Sequence, residues 1–235
     1  MAGQKMEEIA LQMKATRAAT LALFDLAREE DLHVSPGFGF RPIIWHLAHI
    51  GVFEGYWLLR KLKNEEALDE RYERIFDPIN TPREQSKNLP TRREMEDYLT
   101  RVRERTLRHL DEVQFDKADP LLRDGYLFRL VLEHEQQHQE TLAYIFHLLS
   151  PSKKTRPASL ETLDHLKPLA FTTELTPPRE MVMVAEGTFV MGAGEDGFAY
   201  DNERPAHTVH VPAFKIDKLL TTNEEYAHFI NEGGY

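Results

Sequence analysis

With 235 residues and a formal charge of −10, the chain has room for one large or two smaller domains and lacks the basic surface that nucleic-acid binding needs. It contains no cysteine, which excludes disulfides, zinc–thiolate sites and a cysteine nucleophile, so any metal must be held by His, Asp or Glu. No apolar run approaches the roughly 18 residues of a membrane span and no signal-peptide pattern is present, so no membrane partner and a cytoplasmic location are expected. From about Lys5 to Glu30, apolar and small residues at spacings of three and four (Ile9, Met13, Thr16, Thr20, Leu23, Ala27) predict a first helix. A Gly/Pro loop follows at Ser35–Gly39, and Pro42 suits the first turn of a second helix running to about Leu62. Its inner face should carry Trp45, His49, Val52, Phe53 and Tyr56. The polar stretch from about Asn64 to Pro90 reads as a long connection with some local helix, a length usually reserved for function or for packing over a bundle. Thr91 and Glu94 form a capping box that opens a third helix, with Met95, Tyr98, Leu99, Val102, Thr106 and Leu110 as its stripe. A fourth helix is predicted from about Pro120 to Leu149, with Leu127, Val131, His134, His138, Leu142 and Ile145 on one face. Four long helices with a long crossover suggest a four-helix bundle over residues 1–150.

The pattern changes after Ser150. Five prolines between 151 and 178 mark a linker. Met181–Val184, Gly187–Gly192 and Thr208–Val211 then read as strands, and a short helix starts near Thr222. About 55 residues is thin for an independent core, so 179–235 is expected to be the opening of a larger domain or an arm packed on the bundle.

The chemistry concentrates in Leu132-Glu133-His134-Glu135-Gln136-Gln137-His138-Gln139-Glu140. Four residues of helix advance about 400° and about 6 Å, so the two imidazoles stand one above the other on an otherwise apolar face. Burying both is unfavourable unless each is hydrogen-bonded or metallated. The second helix supplies two candidates for a third ligand. His49 has the better apolar neighbours; His46, about 60° away, competes with it or serves as an outer partner or surface residue. Three neutral histidines suit iron, zinc, nickel or copper. His134-Glu135-x-x-His138 also matches the zincin helix, with Glu135 in the place of the general base, although Glu133, Glu135 and Glu140 read more simply as solvated or salt-bridged. Arg83 and Arg92 could meet a substrate carboxylate, with surface ion pairs as the plainer role.

Trp45-His46-Leu47-Ala48-His49-Ile50 with Glu54 and Trp57-Leu58-Leu59, taken with His134-Glu135-Gln136-Gln137-His138-Gln139-Glu140-Thr141, resembles the N-terminal DinB-like bundle of the EgtB family, the non-haem iron sulfoxide synthases of ergothioneine biosynthesis. Glu186–Gly192, Glu203–Val209, Phe214–Asp217 and Thr222–Tyr226 are similar to the start of the formylglycine-generating-enzyme (sulfatase-modifying-factor) domain that follows the bundle in that family. The resemblance implies a mainly α chain: a DinB-like four-helix bundle (1–150), a linker (151–178) and the N-terminal part of an α+β, C-type-lectin-like domain (179–235). It implies Fe(II) held by His49, His134 and His138, with O2 and a cysteine-type thiol at the open positions, and C–S bond formation to hercynine giving a sulfoxide. Gln137 falls where the family helps to hold the betaine substrate; no acid or redox residue is identified, Tyr56 and Tyr98 reading as core. The departure is length, since the family has a complete second domain, and a missing C-terminal half or a partner chain is expected. The alternatives are a selenium- or ovothiol-type relative, a DinB-type zinc or nickel thiol transferase, and a non-catalytic metal-binding bundle.

Overall fold

Leucine, isoleucine and aromatic stripes at helical spacing need a common interior, and four long helices provide it. The computed structural model describes residues 2–37, 39–116, 118–156 and 179–234. They fall into two units, Met1–His165 and Leu166–Tyr235; most of the expected linker, residues 157–178, lies outside the described residues.

In the first unit α1 (Ala2–Phe24), α3 (Ile43–Glu54), α5 (Arg92–Glu112) and α6 (Tyr126–Leu148) form the bundle, with short α2 (Glu29–Leu32) and α4 (Glu70–Ile75) between them. All six stripe positions expected on α5 are buried, and its Thr91–Glu94 capping box is formed. α1 ends earlier than expected: the backbone of Leu26 and Ala27 leaves the helix to pair with Thr155 and Lys154, and Phe24, rather than Leu23, is the buried residue there. α3 continues as a π-helical segment, Gly55–Lys61. The 3.6-residue count breaks where the helix widens, and Tyr56, expected on the inner face, is exposed. α6 begins at Tyr126 rather than near Pro120, because Asp124 (φ 54°) and Gly125 (φ 75°) turn the chain just before it. At Gly51 the α3 backbone packs directly on α5 side chains: a Cβ there would stand 3.0 Å from Leu99 Cδ1.

The connection between α3 and α5 is built rather than loose. Asp69 caps α4 by accepting from the Arg71 and Tyr72 amides, and α4 delivers Tyr72 and Phe76 into the core. Buried Arg41 holds the far side, donating to Ser86 Oγ and to the Thr81 carbonyl, each at 2.7 Å.

One charged residue from each bundle helix meets in the interior. Arg17 of α1 donates to Glu135 of α6 and to Glu54 of α3, and Arg103 of α5 bridges the same two carboxylates, all at 2.8–3.2 Å. Both carboxylates are fully buried. Two cations and two anions cancel, and Thr20 Oγ1 adds a donor to Glu135 at 2.8 Å. Burial works against ionising Glu54, but Arg103 and Arg17 overcome it and hold its carboxyl below the usual range.

In the second unit β1 (Met181–Val184) pairs antiparallel with β4 (Phe214–Asp217), and β2 (Gly187–Met191) with β3 (His207–Val211). β4 was not anticipated as a strand. α7 (Asn223–Asn231) opens on a Thr222–Glu225 capping box. Every residue of β1 and β2 is exposed. Among the described residues no helix is long and apolar enough to cross a membrane.

Candidate metal centre

α3 and α6 face each other, and three of their histidines converge. One ring nitrogen each from His49, His134 and His138 can be chosen so that all lie within 4.8 Å of one another. The ring centroids stand 5.1 Å (His49–His134), 4.9 Å (His49–His138) and 4.6 Å (His134–His138) apart. The i, i+4 spacing on α6 sets the last of these; the first two come from the packing of α3 on α6.

Each ring is held. His49 Nδ1 lies 2.8 Å from the Phe76 carbonyl oxygen, which can only accept, so its proton sits on Nδ1 and the Nε2 lone pair is free. Trp45 stacks on His49 at 4.4 Å, with the Arg41 guanidinium 4.5 Å from the Trp45 ring on its own account. Phe53 lies flat on His134, centroids 3.6 Å apart. His134 Nδ1 is buried and has no hydrogen-bond partner among the described residues, a cost that a coordinated cation or a ligand would remove. Three imidazoles with converging lone pairs, one of them oriented through its other nitrogen by a backbone carbonyl, form a donor set that fits a divalent transition metal.

Electrostatics keep these rings neutral. Burial first, with the Arg41 charge adding to it and the Phe76 contact opposing, lowers His49 from 6.5 to about 4. Burial and then His49 lower His134 to about 3; burial, His49 and Arg41 lower His46 to about 3; His138 is driven down by burial and by its three histidine neighbours. Neutral imidazole is the ligating form. The metal-free protein should therefore lose stability as pH falls below 6.5. From 6.5 downward the unfolded chain takes up protons on these rings, whereas folded His49 does so only near 4. The folded state is penalised progressively across that window and is indifferent above it. Denaturant midpoints in chelator at pH 7 and pH 5 read this directly, and equal midpoints would contradict it.

Two open readings narrow. Glu135 is no zincin base: Oε1 accepts from Arg17 and Thr20, Oε2 from Arg17 and Arg103, and the residue is 0% exposed. It stands about 100° round α6 from His134 and belongs to the interior charge network. His46 is not a surface residue either. It is buried, with Nδ1 2.9 Å from His138 Nδ1. Gln137 is exposed, and its carbonyl accepts from Thr141. Arg92 pairs with Asp25 and Glu96, as a surface ion pair should. The Phe76 carbonyl leaves no signal in the sequence; Arg17 and Arg103 show only as charges at positions that continue the apolar stripes, and Glu54 only as part of the motif that carries the resemblance.

Residues 12–142 match the model of the DinB superfamily, and residues 167–235 that of the sulfatase-modifying factor enzyme 1-like domain. The hercynine oxygenase of Mycolicibacterium smegmatis is 33% identical over 238 residues, 97% of this chain and 51% of that protein. Ergothioneine biosynthesis protein 1 of Neurospora crassa is 31% identical over 108 residues, 43% of this chain and 12% of that protein. The formylglycine-generating enzyme of Bos taurus is 37% identical over 60 residues, 26% of this chain and 16% of that protein. The chain spans about half the length of the hercynine oxygenases it matches over nearly all of its own.

Proposed function

The chain belongs to the DinB superfamily through residues 12–142, and on that footing we propose that its bundle is the Fe(II) centre of a cytoplasmic, O2-dependent sulfoxide synthase that joins a cysteine-type thiol to hercynine. The observation that carries this reading is the convergence of His49, His134 and His138 in a chain similar over 97% of its length to hercynine oxygenases.

His49, His134 and His138 are assigned as the ligands. Iron, when bound, supplies the redox chemistry that couples O2 to C–S bond formation. The protein's own contribution is orientation and charge. The Phe76 carbonyl aims the His49 Nε2 lone pair. Trp45 and Phe53 fix the planes of His49 and His134. Burial keeps all three rings deprotonated at neutral pH. Three such ligands, drawn from two adjacent helices, would occupy one side of a bound cation and leave positions open for substrate. Gln137, exposed beside His138, is assigned to hold the hercynine betaine.

The test is anaerobic Fe(II) titration of the chain, followed by admission of O2 with hercynine and cysteine or a cysteinyl peptide. The expected result is one Fe(II) per chain and, once the expected C-terminal half or partner is supplied, O2 uptake that requires both substrates and a coupled sulfoxide by mass spectrometry. Uptake of zinc or nickel with thiol transfer and no O2 consumption would replace this reading with that of a DinB-type thiol transferase. Absence of metal binding would end it.

A further inference from the structure

A fourth histidine sits beyond the three converging ones. His46 Nδ1 is 2.9 Å from His138 Nδ1, and the rings are 5.1 Å apart. His46 is not one of the residues whose nitrogens converge, and its ring is set edge-on to Trp45 at 88°, the same indole that stacks on His49. Its other nitrogen, Nε2, is buried with no hydrogen-bond partner among the described residues.

Two neutral imidazole nitrogens at this distance must divide the roles, one donating and one accepting. If His46 donates, the proton of His138 is forced onto Nε2 and both of its nitrogens are spent. If His138 donates, its Nε2 carries the lone pair that a cation needs, and the proton of His46 moves to its own Nε2. Holding a cation through His138 Nε2 therefore selects a single arrangement of both rings. The carbonyl of Phe76 does the same for His49, where an acceptor fixes the proton on Nδ1.

We infer that His46 is a positioning residue for the metal centre: it accepts from His138 Nδ1–H, and so fixes the tautomer and the orientation of that ligand without touching the cation. The inference rests on the three-histidine reading above. It makes the two histidines of Trp45-His46-Leu47-Ala48-His49 unequal partners, one a ligand and the other the support of a ligand on the facing helix.

Co(II) is the probe, titrated into the 235-residue chain as wild type, His46→Ala and His46→Gln, with thermal melts of each metal-free protein as a control on folding. His46→Ala should weaken Co(II) binding by about 10–100-fold, the usual effect of removing an outer partner, with band positions that still report the wild-type ligand set. His46→Gln, whose amide oxygen accepts a hydrogen bond, should recover most of that loss. In the Zn(II)-loaded wild type, 15N NMR should find the His138 proton on Nδ1. Unchanged affinity in His46→Ala, with wild-type binding intact, overturns the positioning role alone. A change of coordination number in the Co(II) spectrum overturns it in favour of His46 as a direct ligand. Failure of the wild type to bind any Co(II) or Fe(II) overturns the three-histidine reading and this inference with it.

Discussion

Glu135→Gln should destabilise the bundle by about 3–5 kcal/mol, a drop in Tm on the order of 10 °C. The substitution is nearly isosteric, so the loss is electrostatic: Arg17 and Arg103 keep their buried charges and share Glu54 as the remaining counter-ion among the described residues. Solvent cannot replace the missing charge, because Glu135 is fully buried and both arginines nearly so. Exposed Glu140→Gln on the same helix should change stability by no more than about 0.5 kcal/mol. Removing Arg17 and Glu135 together, as Met, leaves the Arg103–Glu54 pair balanced and should recover a good part of the loss, since an ion pair replaced whole by apolar groups is often near neutral. Thermal melts in chelator separate these cases. A shift of only about 2 °C for Glu135→Gln would show that the network contributes little. The network also bears on the site. Anchoring Glu135 fixes the rotation of α6, and with it the direction in which His134 and His138 face.

His138→Ala should abolish metal-dependent stabilisation. A cation that binds only the folded chain raises stability by about 4 kcal/mol at a thousand times its Kd, so saturating Fe(II) should raise the wild-type Tm under anaerobic conditions. Loss of one of three nitrogens removes more affinity than the roughly 10–100-fold that an outer partner commands. The metal-free variant should lose only about 1–3 kcal/mol, the cost of leaving the buried His46 Nδ1 without its His138 partner. A variant that gains as much from Fe(II) as the wild type does would remove His138 from the ligand set.

Much of the bundle was legible because amphipathic helices announce their inner face. The α5 stripe, its capping box and the i, i+4 histidine pair all follow from local spacing, and each is present. What was not legible is tertiary or backbone-borne. Arg17 and Glu135 lie 118 residues apart in sequence, and each alone looks like a surface charge. Arg17, Arg103 and Glu135 fall at positions that continue apolar stripes, and that is the available clue. The Phe76 carbonyl has no side-chain signature at all. Tyr56 was misplaced because the π-helical widening at Gly55 interrupts the periodicity on which the prediction relied. β4 escaped because four residues give too short a run to separate from a loop.

The bond from His49 to Phe76 has a thermodynamic corollary. It spans 27 residues and ties His49, a proposed ligand on α3, to the end of α4 in the long crossover. Any free energy by which that contact favours cation binding is returned, in equal measure, as protection of the crossover when the cation is present. On the proposed ligand set, amide exchange and protease cleavage around residues 70–81 should report metal occupancy, and a substitution that loosens this stretch should weaken cation binding with all three histidines unchanged.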